Sequence, residues 1–439
     1  MSDFSEAERL LNEWKGANYL FGSGILNTVG ETVRAFGETT LIVSNGSAWI
    51  KKSLENIEAS LGKHNVLHGL ALGSRPNTPL EDLYRISFQV ALQKPASILA
   101  LGSGSTIDAC KAASILATYA PQETTQILGI KWTEAGKIDP YFGTGIVTKI
   151  RNATRKDIIP LVAVQTGAGS AAHLTKYSNI TNPQIGQKKL IVDDAIIPKA
   201  AFFEYDVTSS APKDLTIDGG LDGITHCWEV FMGATGKEYY RKLEHIVLTS
   251  LRLIINYLPL ARKEPHDIRT RTALGLGTDL GGYAIMLGGT NGPHLASFSL
   301  VDVLTHGRAC GILLPYYTVF FSPVIQDQLR AIAAIYQNAG FLKEEPTKLD
   351  GRALAEAVAA AMLRFNTALG IPLTLKDAGV TKEHIERMLV AAKDPQLRMK
   401  LLSMPLSLDP EKGDVDTCMK HVLSAAFTGD LHRVPIVQL

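Results

Sequence analysis

The sequence predicts an N-terminal α/β domain built on a parallel sheet, followed by an all-helical domain. Three observations carry that expectation. Up to about residue 206, short apolar and β-branched runs alternate with amphipathic helical stretches at the spacing of βαβ units. After Ser209 the β-branched runs stop and helical periodicity takes over. A chain of 439 residues also exceeds what one core usually organises. The division is expected at residues 208 and 209.

Taken in order, the chain opens with MSDFSEAERLLNEWKG, which is charged and helical in pattern and lacks an apolar signal segment. TTLIVSNG (39–46) reads as a buried strand ending in a turn, and the helical SAWIKKSLENIEASLG follows. VLHGLAL (66–72) is a second strand, and LEDLYRISFQVALQK is an amphipathic helix after a Pro-rich loop. ASILALGSGS (96–105) runs from a strand into a Gly/Ser turn and then into the helix TIDACKAASILATYA. Residues 121–157 are polar and turn-rich and are expected to form a surface excursion. IIPLVAVQT (158–166) resumes the sheet, YSNIT and KKLIVDD around NPQIGQ form a hairpin, and AAFFEYD (200–206) is the last strand. Helical patterns then cover 213–233, 238–259, 266–287, 324–341, 349–369, 380–393 and 413–427.

Composition removes several classes of partner. With 44 basic and 43 acidic residues the formal net charge is +1, which gives no reason to expect nucleic acid or an acidic membrane surface. No apolar run reaches the length of a membrane span. The four cysteines are scattered without CxxC pairs, a pattern of reduced thiols that suits the cytoplasm.

The stretch from Asp218 to Pro315 holds the candidate chemistry. In DGGLDGITHCWEVF, Asp222 and His226 are four apart and so share one helix face. GTNGPHLASFSLVDVLTHGRACGILLP adds His294 and His306, which are twelve apart and need a break between them. One carboxylate and three imidazoles suit Fe²⁺ or Zn²⁺ with room for a substrate oxygen. Each histidine taken singly reads as well as a packed or surface residue. Glu229, one turn after His226, is a candidate to orient it, or else a capping residue. Cys227 and Cys310 read as buried small side chains. His173 reads as a solvated loop residue.

In the α/β half, Gly102-Ser103-Gly104-Ser105 joins a strand to a helix start. Small residues there let a backbone approach a pyrophosphate at the favourable end of the helix dipole. Asp108 falls in the first turn, where a carboxylate is also favoured. A tight strand-to-helix turn with a capping serine explains the same residues. Thr166-Gly-Ala-Gly-Ser170 again follows a strand and could line the same groove.

Joined in order, these pieces resemble the iron-containing (group III) alcohol dehydrogenase family. LGSGSTIDACKAA is similar to its GGGSxxDxAK signature, RPNTP (75–79) to its PNP turn and QTGAGS to its TAGTGS segment. TKYSNITNP, KLIVDDAIIPKAAFFEYDVT, GGLDGITHCWEVF and HGRACGILLPYYTVF follow with similar spacing. The similarity fades before residue 20 and after about residue 400. It implies a dehydroquinate synthase-like two-domain fold: a nucleotide-binding α/β domain (1–208), a helical metal-binding domain (209–439) and chemistry in the cleft between them. It implies an NAD(P)-linked oxidoreductase of alcohols and aldehydes, with one divalent metal on Asp222, His226, His294 and His306. The cofactor set that it implies is Asn45, Asn77, Gly102, Ser103, Gly104, Ser105, Asp108, Thr166 and Lys189. A homodimer or larger homo-oligomer is expected. The alternatives are a metal- and NAD-dependent lyase or synthase of the dehydroquinate synthase type, and a non-catalytic relative.

Departures from the family pattern cluster around substrate and phosphates. Asn45 stands where members often carry an acidic residue that favours NAD over NADP, so both cofactors stay open. Ala171 replaces the usual Glu, and two extra residues precede Thr175. Phe298 fills a position where many members carry a second histidine.

Overall fold

The computed structural model describes residues 2–120 and 137–437. Its chain divides into two compact units, residues 12–212 and residues 213–439 together with 1–11. The N-terminal residues therefore belong with the helical unit, although sequence order grouped them with the α/β half. The reason is packing: α1 (Asp3–Lys15) buries Ala7, Leu10 and Leu11. In addition Asp3 accepts from Arg252 at 2.8 Å, and Phe4 meets Tyr257 edge-on at 5.5 Å.

The α/β unit is organised by a six-stranded sheet. In chain order its elements are β1 (Tyr19–Gly22), α2 (Val29–Arg34), β2 (Thr39–Ser44), α3 (Lys51–Lys63), β3 (Leu67–Leu72), α4 (Leu80–Gln93), β4 (Ser97–Gly102), α5 (Gly104–Tyr119), β5 (Gly143–Thr144), α6 (Ile146–Thr154), β6 (Leu161–Gln165), β7 (Tyr177–Asn182), β8 (Gln187–Val192) and β9 (Ala200–Glu204). The strand order is β1-β9-β6-β4-β2-β3, and every adjacent pair is parallel. A second, three-stranded sheet has the order β5-β8-β7, with β7 and β8 antiparallel as the hairpin reading expected. Four elements of this unit escaped the sequence reading. β1 is only four residues long, α2 follows it, and the excursion carries β5 and α6 in its later part. Residues 121–136 of that excursion lie outside the described residues.

Strand alternation explains why helices cover both faces of the large sheet. Leu41, Val43, Ile98, Ala100, Leu161 and Ala163 pack on one face with Leu83, Ile86 and Val90 of α4 and Ile107 of α5. Ile42, Leu99, Leu101, Val162 and Val164 face the other way, onto Val29 and Val33 of α2 and Ile57 and Leu61 of α3. Strands buried on both sides read as continuous apolar runs, and these do. In such a sheet ligands bind beyond the carboxyl ends of the strands, next to the point where strand order reverses. That point lies between β2 and β4, whose onward connections leave in opposite directions along the sheet.

The helical unit continues with α7 (Lys213–Met232), α8 (Tyr240–Lys263), α9 (Ile268–Leu287), α10 (Gly292–Ser297), α11 (His306–Phe320), α12 (Gln326–Asn338), α13 (Gly351–Leu369), α14 (Lys382–Ala392), α15 (Arg398–Leu402) and α16 (Lys420–Thr428). α7, α9 and α11 are buried on nearly every side, as helices without a polar face must be. Gly307 sets the α7–α11 approach: a Cβ there would sit 1.9 Å from the Asp218 carbonyl oxygen. Among the described residues no helix is long and apolar enough to cross a membrane.

Candidate metal centre and cofactor-binding turns

Four side chains named from the sequence meet in the helical unit. Asp222 and His226 lie one turn apart on α7, His294 is on α10, and His306 opens α11. The break expected between the last two is the segment 298–305. Thr305 and Arg308 clamp it onto α7, donating to Asp218 at 2.7 and 2.9 Å. From Asp222 Oδ1, the Nε2 atoms of His226, His294 and His306 lie at 3.6, 3.4 and 3.6 Å. Bonds of about 2.0–2.2 Å to one ion would make tetrahedral donor-to-donor edges of roughly 3.3–3.6 Å. The observed spacings fit an ion among these atoms.

Hydrogen bonds set the imidazole tautomers. His294 Nδ1 lies 2.8 Å from Glu229 Oε1, a carboxylate that can only accept, so Nδ1 carries a proton. Although burial lowers the ring's pKa, Cys310, Glu229 and Asp222 raise it well above the ordinary value, so a bound ion would replace the proton on Nε2. The Ser297 hydroxyl donates to the His294 carbonyl at 2.7 Å, leaving its oxygen to accept from His306 Nδ1 at 3.0 Å. Nε2 is thus the atom of both rings that lies toward Asp222. Asp222 Oδ1 and His294 Nε2 are buried without a hydrogen-bond partner, as donor atoms reserved for a metal would be. Burial alone would raise the Asp222 pKa, but His226, His306 and His294 hold it well below the carboxylate range. Burial pulls His226 down to about 4, which keeps its ring neutral. An ionised carboxylate and neutral imidazoles are the forms that bind metals.

Two neighbours differ from their sequence readings, and a third had none. Glu229, fully buried, orients His294 rather than His226: it also accepts from the backbone N–H of His294 at 3.1 Å and of Asn291. Sequence spacing pointed to the residue on its own helix, whereas its partner comes from α10. Cys310 is buried but is not merely filler. It stands four residues after His306, on the same face of α11, and its thiol joins Asp222, His294 and His306 in a set of donors all within 4.8 Å of one another. Lys400 was not anticipated. It is 5% exposed, donates to Thr290 Oγ1, and lies 5.5 Å from the Phe298 ring, which tilts against His306 at 5.8 Å. Burial draws the Lys400 pKa down to about 8. No local motif marks a buried lysine so far along the chain from the candidate donors.

The α/β unit gathers most of the expected cofactor residues at strand ends. Asn45 follows β2, Gly102 ends β4 with Ser103 to Ser105 after it, and Thr166 follows β6, three neighbouring strands whose ends lie within one residue of each other in register. The Thr166 amide donates to the Gly102 carbonyl at 3.2 Å, and its buried hydroxyl has no hydrogen-bond partner. A Cβ on Gly104 would lie 2.6 Å from Ser170 Oγ, so the two Gly/Ser turns pack together there. That contact, rather than a phosphate alone, calls for a small residue at 104. Ser103 precedes α5 without a side-chain cap, leaving the first amides of a sixteen-residue helix uncapped by the chain. Asn77 sits in a turn at φ 65°, its carbonyl accepting from Thr181 of β7.

Two expected cofactor residues have other work. Asp108 is buried, and its Oδ2 accepts from the amide and side chain of Asn179, both at 3.0 Å, tying α5 to β7. Lys189 on β8 lies 3.6 Å from Asp139 and 5.6 Å from the Phe142 ring. His173, expected in solvent, is 1% exposed between Tyr19 and Phe203, because the two-residue insertion folds inward.

A doubly wound sheet with uncapped turns at its switch point, and a helical unit centred on one carboxylate and three imidazoles, define a nucleotide- and metal-using enzyme. Comparison with known proteins narrows the class. Residues 16–205 match the family profile described as iron-containing alcohol dehydrogenase, and residues 216–401 match the C-terminal profile of the Fe-containing alcohol dehydrogenase family. The chain belongs to the iron-containing alcohol dehydrogenase family. It is a metal-dependent, NAD-linked oxidoreductase acting between alcohols and aldehydes or ketones.

Among similar sequences, the NAD-dependent methanol dehydrogenase of Bacillus methanolicus is 27% identical over 281 residues, 63% of this chain and 69% of that one. Alcohol dehydrogenase 4 of Saccharomyces cerevisiae is 24% identical over 372 residues, covering 83% and 87%. Lactaldehyde reductase of Escherichia coli is 27% identical over 301 residues, covering 68% and 70%. The fold is shared with an archaeal halo-thermophilic alcohol dehydrogenase from a Red Sea brine pool, at a TM-score of 0.78 and 20% identity, covering 93% of this chain and 97% of that one. A 1,3-propanediol oxidoreductase gives 0.77 and 22%, covering 94% and 98%.

Proposed function

We propose that Asp222, His226, His294 and His306 hold the divalent metal, and that the enzyme accepts both NAD and NADP in interconverting small alcohols and aldehydes. The observation that carries the ligand assignment is the equal spacing of three Nε2 atoms about one partnerless Asp222 oxygen. When bound, the metal supplies Lewis acidity, which favours loss of an alcohol's hydroxyl proton and polarises a carbonyl. Glu229 and Ser297 hold two of the imidazoles with Nε2 inward, so the donors are arranged before a ligand arrives. Phe298 offers the His306 ring an apolar neighbour and no proton. Cys310 is the competing donor, and its thiol pKa is pushed up by burial.

The amides at the start of α5 and the Thr166 hydroxyl are the groups we assign to the cofactor phosphates. Asn45 is assigned to the adenosine ribose. Its Oδ1 accepts from the Ser47 amide at 3.0 Å, and it carries no charge to repel a 2′-phosphate. Lys51 and Lys52 are exposed at the start of α3, within two turns of it. A chain with free cysteines among its described residues suits a reducing cytoplasm, and we expect it to act there as a homo-oligomer.

The test is oxidation of NADH and NADPH by a panel of small aldehydes after loading with Fe²⁺ or Zn²⁺. Metal-dependent turnover with both cofactors is expected, and Asn45→Asp should lower kcat/KM for NADPH at least tenfold relative to NADH. Charge at such a site is worth about 1.5–3 kcal/mol, the scale of a charged hydrogen bond. A parent enzyme that already rejects NADPH by several orders of magnitude would refute the reading of Asn45. No turnover with any aldehyde would refute the substrate class.

A further inference from the structure

An ammonium group is buried near the metal donors with no carboxylate of its own. Lys400, on α15, donates to the Thr290 hydroxyl, which can satisfy one of its three N–H groups. The Phe298 ring lies 5.5 Å from Nζ and offers an electron-rich face but no charge. Among the described residues no carboxylate is ion-paired with it. Glu229, Cys310 and Asp222 are near enough to act on its charge, but burial outweighs them. Lys111 shows how a buried lysine is otherwise satisfied: two carbonyls at 2.9 and 2.7 Å, and Asp108 at 3.9 Å. An ammonium held out of water by one hydroxyl is costly, and such groups cluster where a ligand completes them.

The surrounding chain fixes this place. α9 ends at Leu287, and residues 288–291 lead into α10, which carries His294. A Cβ on Gly289 would strike the Ser403 hydroxyl, so the end of α15 packs directly on that segment. Its other side is held by Glu229, which accepts from the Asn291 amide, while the Asn291 side chain donates to the Glu229 carbonyl at 2.9 Å. Thr290 thus faces Lys400, and Asn291 faces Glu229. Phe298 in turn tilts against His306 at 5.8 Å, so one apolar ring stands between the ammonium and a metal donor. A divalent ion would balance the Asp222 and Glu229 carboxylates, which leaves the Lys400 charge as the surplus one. All these residues belong to the helical unit.

We propose that Lys400 determines specificity by binding a carboxylate on the substrate, so that the preferred substrates are short-chain aldehydes and alcohols with a carboxylate at the far end. The assignment rests on the metal-dependent reading above and narrows its substrate class. The carboxylate accepts from the N–H groups that Thr290 does not use, and the intervening methylenes pass along the Phe298 ring. A pKa of about 8 leaves the ammonium form in the majority at neutral pH. A neutral substrate would leave that charge uncompensated, so the site discriminates against plain alcohols as well as in favour of anionic ones.

Matched substrate pairs test it on the enzyme loaded with Zn²⁺ or Fe²⁺: succinic semialdehyde against butanal, and glutaric semialdehyde against pentanal, each with NADH. At least one carboxylate member should exceed its neutral counterpart tenfold or more in kcat/KM. Lys400→Met should cut that ratio by about tenfold or more, the scale of a charged hydrogen bond. Lys400→Gln, which keeps a donor for Thr290 without the charge, should do the same. A second readout needs no turnover. With nicotinamide left out, calorimetric titration of the Zn²⁺-loaded enzyme with 4-hydroxybutyrate should give a Kd at least tenfold weaker in Lys400→Met than in wild type, and 1-butanol should show no such gap. Wild-type ratios near one for both pairs, or a ratio that neither variant moves, would overturn the proposal. So would variants that slow both members of a pair alike and lose Zn²⁺, because Lys400 would then only support Glu229. No turnover with any aldehyde would count against the function proposed above, and the calorimetric comparison would still decide the role of Lys400.

Discussion

At the residue scale, Glu229 shows how a buried carboxylate prepares a site it does not itself complete. It spends its acceptors on the His294 ring and on the amides of Asn291 and His294, which fixes both the ring and the start of α10. Partners of this kind typically change metal affinity by about 10–100-fold when removed. Glu229→Gln keeps one acceptor but loses the charge and one N–H partner. Its affinity for Zn²⁺, read by competition with a chromophoric chelator, should fall by about tenfold or more. Unchanged affinity would mean that the ring is positioned without this bond. The candidate donors could be named from the sequence because residue type and order suffice to suggest them. Their supports could not: Glu229 turns to another helix, and Lys400 arrives from α15, and neither fact has a local signature.

At the element scale, α5 is fastened to β7 by groups that sequence patterns assign to a ligand. Lys111 is buried and donates to the carbonyls of Thr175 and Tyr177 at 2.9 and 2.7 Å, while Asp108 holds Asn179. Burial lowers the Lys111 pKa from 10.5 to about 8. Between those values the unfolded chain binds more protons than the folded one, so stability rises with pH. Above the unfolded value the gain is complete, and it is lost as pH falls through the folded value. The size is on the order of 3 kcal/mol. Wild type should therefore gain stability relative to Lys111→Met between pH 7.5 and 10, measured as the urea midpoint of the α/β unit. Parallel midpoints would show that Lys111 is neutral or freely hydrated throughout. Continuous apolar runs marked β2, β4 and β6 because both faces of each are buried. The same signal missed β1, whose four residues are too few to form such a run, and it could not show that His173 turns inward between two aromatic rings.

At the scale of the whole molecule, each unit has its own core and its own candidate chemistry. The cofactor turns fall entirely within residues 12–212, and the metal donors entirely within the helical unit. The expected boundary at 208 and 209 and the division of the chain at 212 and 213 both lie where the composition changes. The return of α1 to the helical unit was not readable, since an amphipathic helix does not name the face it will cover. Asp222 is the hub of the account: all three imidazole distances are measured from its one partnerless oxygen, and Cys310 offers a rival donor to the same space. Elemental analysis of chains reconstituted with Zn²⁺ or Fe²⁺ and then gel-filtered tests that arrangement most directly. One divalent ion per chain is predicted for the wild type and for Cys310→Ser, with almost none retained by a folded Asp222→Ala. A full equivalent in Asp222→Ala, or its loss in Cys310→Ser alone, would contradict the account.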